Sequence, residues 1–142
     1  MNGFDFQEFI LYGILQGKKI IGKSKDSVVE FLGEPIVRED YQDQNFYFHY
    51  QDGLRIAFFD GVVKNYGILF KNLERDLALG TESVNNDYLL HQFIFATENI
   101  LKAQWTIRKD LSDSEYLVLQ INNTTLVYFY LYDGTIERII YS

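Results

Sequence analysis

The chain has no cysteine. That one lack removes disulfides, thiolate nucleophiles and thiolate metal sites together. Histidine is nearly as scarce: His49 and His91 are the only two, and no HExxH or DxDxDG pattern places either beside further metal ligands. One proline and ten glycines in 142 residues leave little material for long flexible linkers. Positive charge is also short. Thirteen lysines and arginines against twenty acidic residues give a net charge of −7, and a surface of that sign repels phosphate backbones. No segment reaches the roughly 20 apolar residues that a membrane-spanning helix needs. The N-terminal stretch sets Asp5 and Glu8 ahead of its apolar residues and has no basic leader, which makes it a poor signal peptide. The expected compartment is therefore the cytoplasm, where the Asn-x-Thr triplets headed by Asn122 and Asn123 stay unglycosylated.

What is present is apolar and aromatic. Apolar residues make up 47% and aromatics 17%, too hydrophobic for a disordered chain and enough, at this length, to fill the core of one compact domain spanning 1–142. Phe6, Phe9, Ile10, Gly13 and Ile14 fall at helical spacing and predict a short helix over 4–16. A second helix starts at Ser24, whose hydroxyl can accept from the free N–H groups of the first turn. Gly33 and Pro35 stop it. The period then changes. Residues 36–40, 45–50, 54–59 and 62–70 read as strands, with Gln51-Asp52-Gly53 and Asp60-Gly61 as the turns between the last three. The second half follows the same order: a helix over 87–103, then strands over 105–109, 115–121, 124–132 and 135–141, with Asn122-Asn123 and Asp133-Gly134 as turns.

Helices precede strands and no βαβ alternation occurs, so the fold class is α+β. With residues 36–40 set against 106–110, and Asp60-Gly61 against Asp133-Gly134, the halves 4–70 and 75–142 read as a tandem duplication of a helix-plus-antiparallel-meander unit. The competing architecture is a single sheet with helices on one face.

Groups able to do chemistry are few. His49 lies in the strand Phe46-Tyr47-Phe48-His49-Tyr50 and His91 in the long helix, on separate elements. A small-ligand or enzyme reading would rest on His49 among aromatics. Gly13-Ile14-Leu15-Gln16-Gly17-Lys18-Lys19 has three residues between its glycines and no Ser/Thr after the lysine, so it reads as a helix end passing into a turn. Catalytic carboxylate pairs need unlike environments, one of them buried, whereas Glu39, Asp40 and Asp43, and Asp110, Asp113 and Glu115, fall in polar loops. No cofactor, metal site or catalytic residue is assigned.

Binding is better provided for. Tyr128, Tyr130 and Tyr132 alternate along one strand and point to one face, with Val127, Phe129 and Leu131 on the other and Tyr141 near the end of the neighbouring strand. Tyrosine is rigid and amphipathic, which suits a protein interface. Glu39, Asp40 and Asp43 in one half, and Asp110 and Asp113 in the other, would rim that surface with negative charge if the halves sit side by side.

The run from Ile21 through Gly22, Ser24, Val28 and Leu32 to Gly33 and Pro35 resembles a Gly-x-Ser/Thr helix ending in Leu-Gly-x-Pro. That pattern occurs in outer-membrane assembly lipoproteins of the BamE/SmpA type and in the immunity proteins encoded beside polymorphic bacterial toxins. A duplicated helix-plus-sheet unit is also similar to the β-lactamase inhibitory proteins. The lipoprotein likeness lacks a lipid-bearing cysteine, and the lactamase-inhibitor likeness lacks disulfides. The immunity-protein resemblance implies a non-catalytic inhibitor that covers the active site of a cognate, basic toxin. In that reading Tyr128, Tyr130 and Tyr132 with Glu39, Asp40, Asp43, Asp110 and Asp113 carry recognition, and neither nucleic acid nor membrane is a partner. The alternative is an adaptor that self-associates through the same aromatic face. Either a monomer or a homodimer follows.

Overall fold

A computed structural model of the chain describes residues 4–142; residues 1–3, which open the N-terminal stretch and the span 1–142, lie outside the described residues. The first helix, α1 (Phe6–Tyr12), is shorter than the expected 4–16. Asp5 caps it by accepting from the Glu8 N–H, and Gly13 ends it at φ 67°, returning its N–H to the Phe9 carbonyl. The second, α2 (Lys25–Leu32), has the predicted ends: the Ser24 hydroxyl accepts from the Ser27 N–H at 3.2 Å, and Gly33 takes φ 84°.

Four strands follow as an antiparallel meander: β1 (Val37–Gln42), β2 (Asn45–His49), β3 (Leu54–Phe59) and β4 (Val62–Leu69). A short hairpin, β5 (Leu77–Leu79) with β6 (Glu82–Val84), comes next, where the sequence pattern predicts no element. The expected helix over 87–103 is cut back to α3 (Leu90–Ala96) and a π-type turn, Thr97–Leu101. Two local hydrogen bonds explain the loss at its start. The Asn85 side chain accepts from the Asp87 N–H, making a turn, and Gln92 accepts from the Leu89 N–H as the helix begins. The second meander is β7 (Trp105–Ile107), β8 (Tyr116–Ile121), β9 (Thr125–Tyr130) and β10 (Ile136–Tyr141).

The meanders form one sheet, not two. Its eight antiparallel strands run β1-β2-β3-β4-β10-β9-β8-β7, so the last strands of the two halves pair at the centre, with Ile68 opposite Ile139 and Gly67 opposite Ile140. The fold is α+β. The two Asp-Gly pairs do sit at matching places between third and fourth strands. The other sequence match is not kept in register: Arg38 faces Phe48 on the core side, whereas Arg108 donates its N–H to Val118, a residue of the opposite face. A one-residue offset moves a side chain through the sheet. The tandem repeat of 4–70 and 75–142 therefore remains a reading of the sequence.

One face of the sheet holds the core. Phe46 and Phe58 stack there at 4.5 Å, and the helices deliver Phe9 against Tyr66 and Phe93 against Phe129, at 6.0 and 5.6 Å. The carbonyls at the end of α1 lack helical partners and are met from the sheet. Thr125 donates to the Ile10 carbonyl at 2.6 Å, and the Tyr66 hydroxyl donates to that of Gly13. Thr125 is fully buried. Thr125→Val keeps the volume but strands a buried carbonyl, so it is expected to cost about 1–3 kcal/mol. A urea midpoint unchanged from wild type would refute that role for the hydroxyl. Among the described residues no helix is long and apolar enough to cross a membrane.

Candidate functional site: the open sheet face

Among the described residues the other face of the sheet carries no helix, and its side chains pack on one another. Along β9, Val127 and Phe129 turn to the core while Tyr128 and Tyr130 turn outward, half-buried. Pairing sets Tyr116 of β8 opposite Tyr130, and Arg138 of β10 opposite Tyr128. The rings of Tyr116 lie 5.9 Å from Tyr128 and 5.5 Å from Tyr130, and Tyr130 lies 5.4 Å from Tyr132. The Arg138 guanidinium rests 3.9 Å over Tyr128 and 5.3 Å from Tyr116, a cation–π geometry. Its Nη1 donates to Glu137 at 2.8 Å. Partial burial works against the charge, but Glu137 and Tyr128 outweigh it and hold the guanidinium pKa above its ordinary value. In the same layer Val118 is fully buried although it lies outside the main core.

Two expectations about this face need correction. Leu131 does not point inward with Val127 and Phe129, because β9 ends at Tyr130 and Leu131 and Tyr132 belong to the turn. Gly134 closes that turn onto the Tyr130 carbonyl and Asp133 accepts from Thr135, which leaves Leu131 52% and Tyr132 81% exposed. Tyr141 is not part of the tyrosine face either. It packs on the core side, its ring 5.6 Å from that of Tyr66.

A second cluster lies on the same face, outside the predicted recognition residues except for Glu39. Tyr41 meets Tyr47 edge-on at 5.3 Å, and the Arg55 guanidinium sits 4.4 Å over Tyr47. Glu39 accepts from the Tyr41 hydroxyl at 3.1 Å and lies 3.0 Å from His49 Nε2. The alternation of Tyr47 and His49 with buried Phe46 and Phe48 marks the outward side of β2 in the sequence. What it cannot mark is the arginine from a neighbouring strand.

The five carboxylates expected to rim one surface do not converge. Glu39, Asp40 and Asp43 belong to the β1 edge, Asp110 and Asp113 to the β7 edge. Seven strand spacings separate those edges, roughly 34 Å measured along the sheet. All five are exposed, but four are engaged locally. Asp40 pairs with Arg38 at 2.8 Å, and Asp110 pairs with Arg108 at 2.8 and 2.6 Å. Asp113 accepts the N–H groups of Glu115 and Tyr116. The hydrogen bonds from His49 and Tyr41 lower the pKa of Glu39, Arg108 lowers that of Asp110, and the two backbone donors lower that of Asp113.

A carboxylate whose folded pKa is depressed adds stability above its unfolded value and loses it as pH falls through the folded one. The ordinary carboxylate values are about 4.3 for glutamate and about 3.9 for aspartate. Melting temperature is accordingly expected to drop as these three groups protonate below those values, and Asp113→Asn should flatten the drop. An identical acid profile for wild type and variant would refute the assignment.

Chemically the face offers rings, guanidinium groups and hydroxyls. His49 is half-buried beside Glu39. Among the described residues no group of three or more His, Asp or Glu side chains could hold a metal ion. No protein-family model matches the chain, and no curated protein matches it. A solved structure, an extracellular protein containing a SCP domain from Bacillus anthracis str. Ames, aligns with a TM-score of 0.47 and 14% identity over 86% of this chain. The chain spans 43% of that structure's length. A likeness so remote bears on neither fold nor activity.

Proposed function

We propose that the chain is a non-catalytic protein-binding inhibitor of the immunity type, acting in the cytoplasm by covering the active site of a cognate toxin. The observation that carries this reading is the open sheet face, where Tyr116, Tyr128 and Tyr130 stand half-exposed around Arg138. Tyrosine and arginine dominate binding energy at protein interfaces, tyrosine through a large rigid ring with few rotors and arginine through a planar guanidinium with five directed donors. Mutual edge-on and tilted ring contacts restrain these side chains before a partner arrives, which lowers the entropic cost of docking. The net charge of −7 speeds encounter with a basic partner. Close contact then falls to the rings and guanidinium groups, with the carboxylates at the two edges.

The test is capture from native lysate with tagged protein, with bound chains identified by mass spectrometry. The reading expects one stoichiometric basic protein, retained by wild type and lost when Tyr128 and Tyr130 are both alanine. Equal capture by the double variant would move binding off this face. A second reading, self-association, is favoured by the β1 edge, where all six residues are exposed and Val37 and Tyr41 are 53% and 61% accessible. An unpaired edge of that length is a template for another strand. Sedimentation giving a stable dimer for wild type and a monomer for Val37→Lys on that edge would favour it over the inhibitor.

A further inference from the structure

Half of the eight lysines fall within eight residues, Lys18, Lys19, Lys23 and Lys25, with no carboxylate between them. In a chain of net charge −7 this is a local inversion of sign. The fold turns the run into a concavity. A turn brings Leu15 and Lys18 together through Gln16 and Gly17 at φ 49° and 82°. A second turn closes with the Lys23 N–H on the Ile20 carbonyl, and Gly22 and Lys23 are anchored by backbone hydrogen bonds to Val63. Between these turns and α2 lies a cleft of about 610 Å³. Lys18, Lys19 and Lys23 are exposed at its rim, while Ile20 and Val28 are buried in its floor beside half-buried Phe31. The Lys18 ammonium stands 4.8 Å from the Phe31 ring centroid, so one cation is already placed over the apolar floor. Ser27 and Glu30 complete the lining.

We propose that this cleft binds a small phosphomonoester with an apolar or aromatic body. The volume falls in the range of small-ligand sites. Three ammonium groups suit a doubly charged tetrahedral anion better than a single carboxylate, since lysine acts as a mobile point charge on phosphate. Ile20, Val28 and Phe31 give the body of the ligand a surface to lie on. Glu30, exposed in the lining, can accept from a ligand hydroxyl and repels a second anionic group. The site is separate from the tyrosine face and stands whether or not that face binds a toxin.

Phenyl phosphate is the probe, titrated into the full chain at physiological salt and followed by amide chemical shifts. Saturable one-site binding is expected, with a Kd of about 1 mM or tighter and shifts confined to 15–31. Inorganic phosphate should bind at least about tenfold more weakly, for want of contact with the floor. Lys19→Glu with Lys23→Glu should weaken the probe by more than about tenfold, while Lys71→Glu with Lys109→Glu should leave it unchanged. Absence of saturable binding would overturn the proposal, as would equal binding by the Lys19/Lys23 variant. Binding to phosphatidylserine vesicles without binding of phenyl phosphate would assign the lysines to a lipid surface and overturn it too.

Discussion

Alanine at Gly67 is expected to loosen the sheet at its centre and to cost about 3 kcal/mol of stability. Gly67 is buried in β4 opposite Ile140 of β10, and a Cβ added there would run into the Ile139 carbonyl. The constraint is space, because its φ is not in the left-handed region. Moving away would separate β4 from β10, the one strand pairing that joins the two meanders among the described residues. Gly134 is the comparison: φ is 75° but nothing lies within 4 Å of an added Cβ, so Gly134→Ala should cost only about 1 kcal/mol of backbone strain. Urea unfolding of the two variants measures the difference. If Gly67→Ala lost no more than Gly134→Ala, the tight joint would be disproved. A second, separate transition for Gly67→Ala would show the halves melting apart.

The next largest effect concerns recognition. With Tyr128 and Tyr130 both alanine, affinity for the protein captured by wild type is expected to fall at least about hundredfold. Tyr128 carries the Arg138 guanidinium, and Tyr130 joins Tyr116 to Tyr132. Removing both rings takes contact area away and also frees the arginine that Tyr128 holds still. Arg138→Lys alone should produce part of this loss, because an ammonium cannot lie flat on a ring as a guanidinium does. Calorimetry gives the affinities, and circular dichroism gives the control, since residues that are half-exposed should leave the fold intact. Undiminished affinity in a folded double variant would refute the assignment of this face.

Local chemistry accounts for the elements that could be read directly. Ser24 and Gly33 bracket α2 because a hydroxyl cap and a positive-φ glycine act over one turn of chain. Asp60 and Gly61, both at positive φ, make the two-residue hairpin turn their sequence announces. The same dipeptide at Asp133-Gly134 shows the limit. There only Gly134 has positive φ, the turn starts two residues earlier, and Tyr132 leaves the strand. The β5–β6 hairpin has no signature in the sequence because two three-residue strands are too short to display a period. The helix expected over 87–103 was overruled at its start by the Asn85 turn and at its end by the π-type turn, where Thr97 donates to the Phe93 carbonyl.

By itself, then, the sequence determined the α+β class, most of the strands, and the placing of Tyr128 and Tyr130 on the face opposite Val127 and Phe129. Each of these rests on interactions between residues a few positions apart, and a linear pattern records them. Tertiary structure decided the rest. It placed β10 beside β4 to make one sheet, brought Arg138 over Tyr128 and Arg55 over Tyr47, and sent the two groups of carboxylates to opposite edges. Those outcomes depend on which strands become neighbours. That choice is made by burying Phe9, Phe93 and the other core side chains on one face, and the hydrophobic effect that drives it is non-directional and leaves no local signature in the chain.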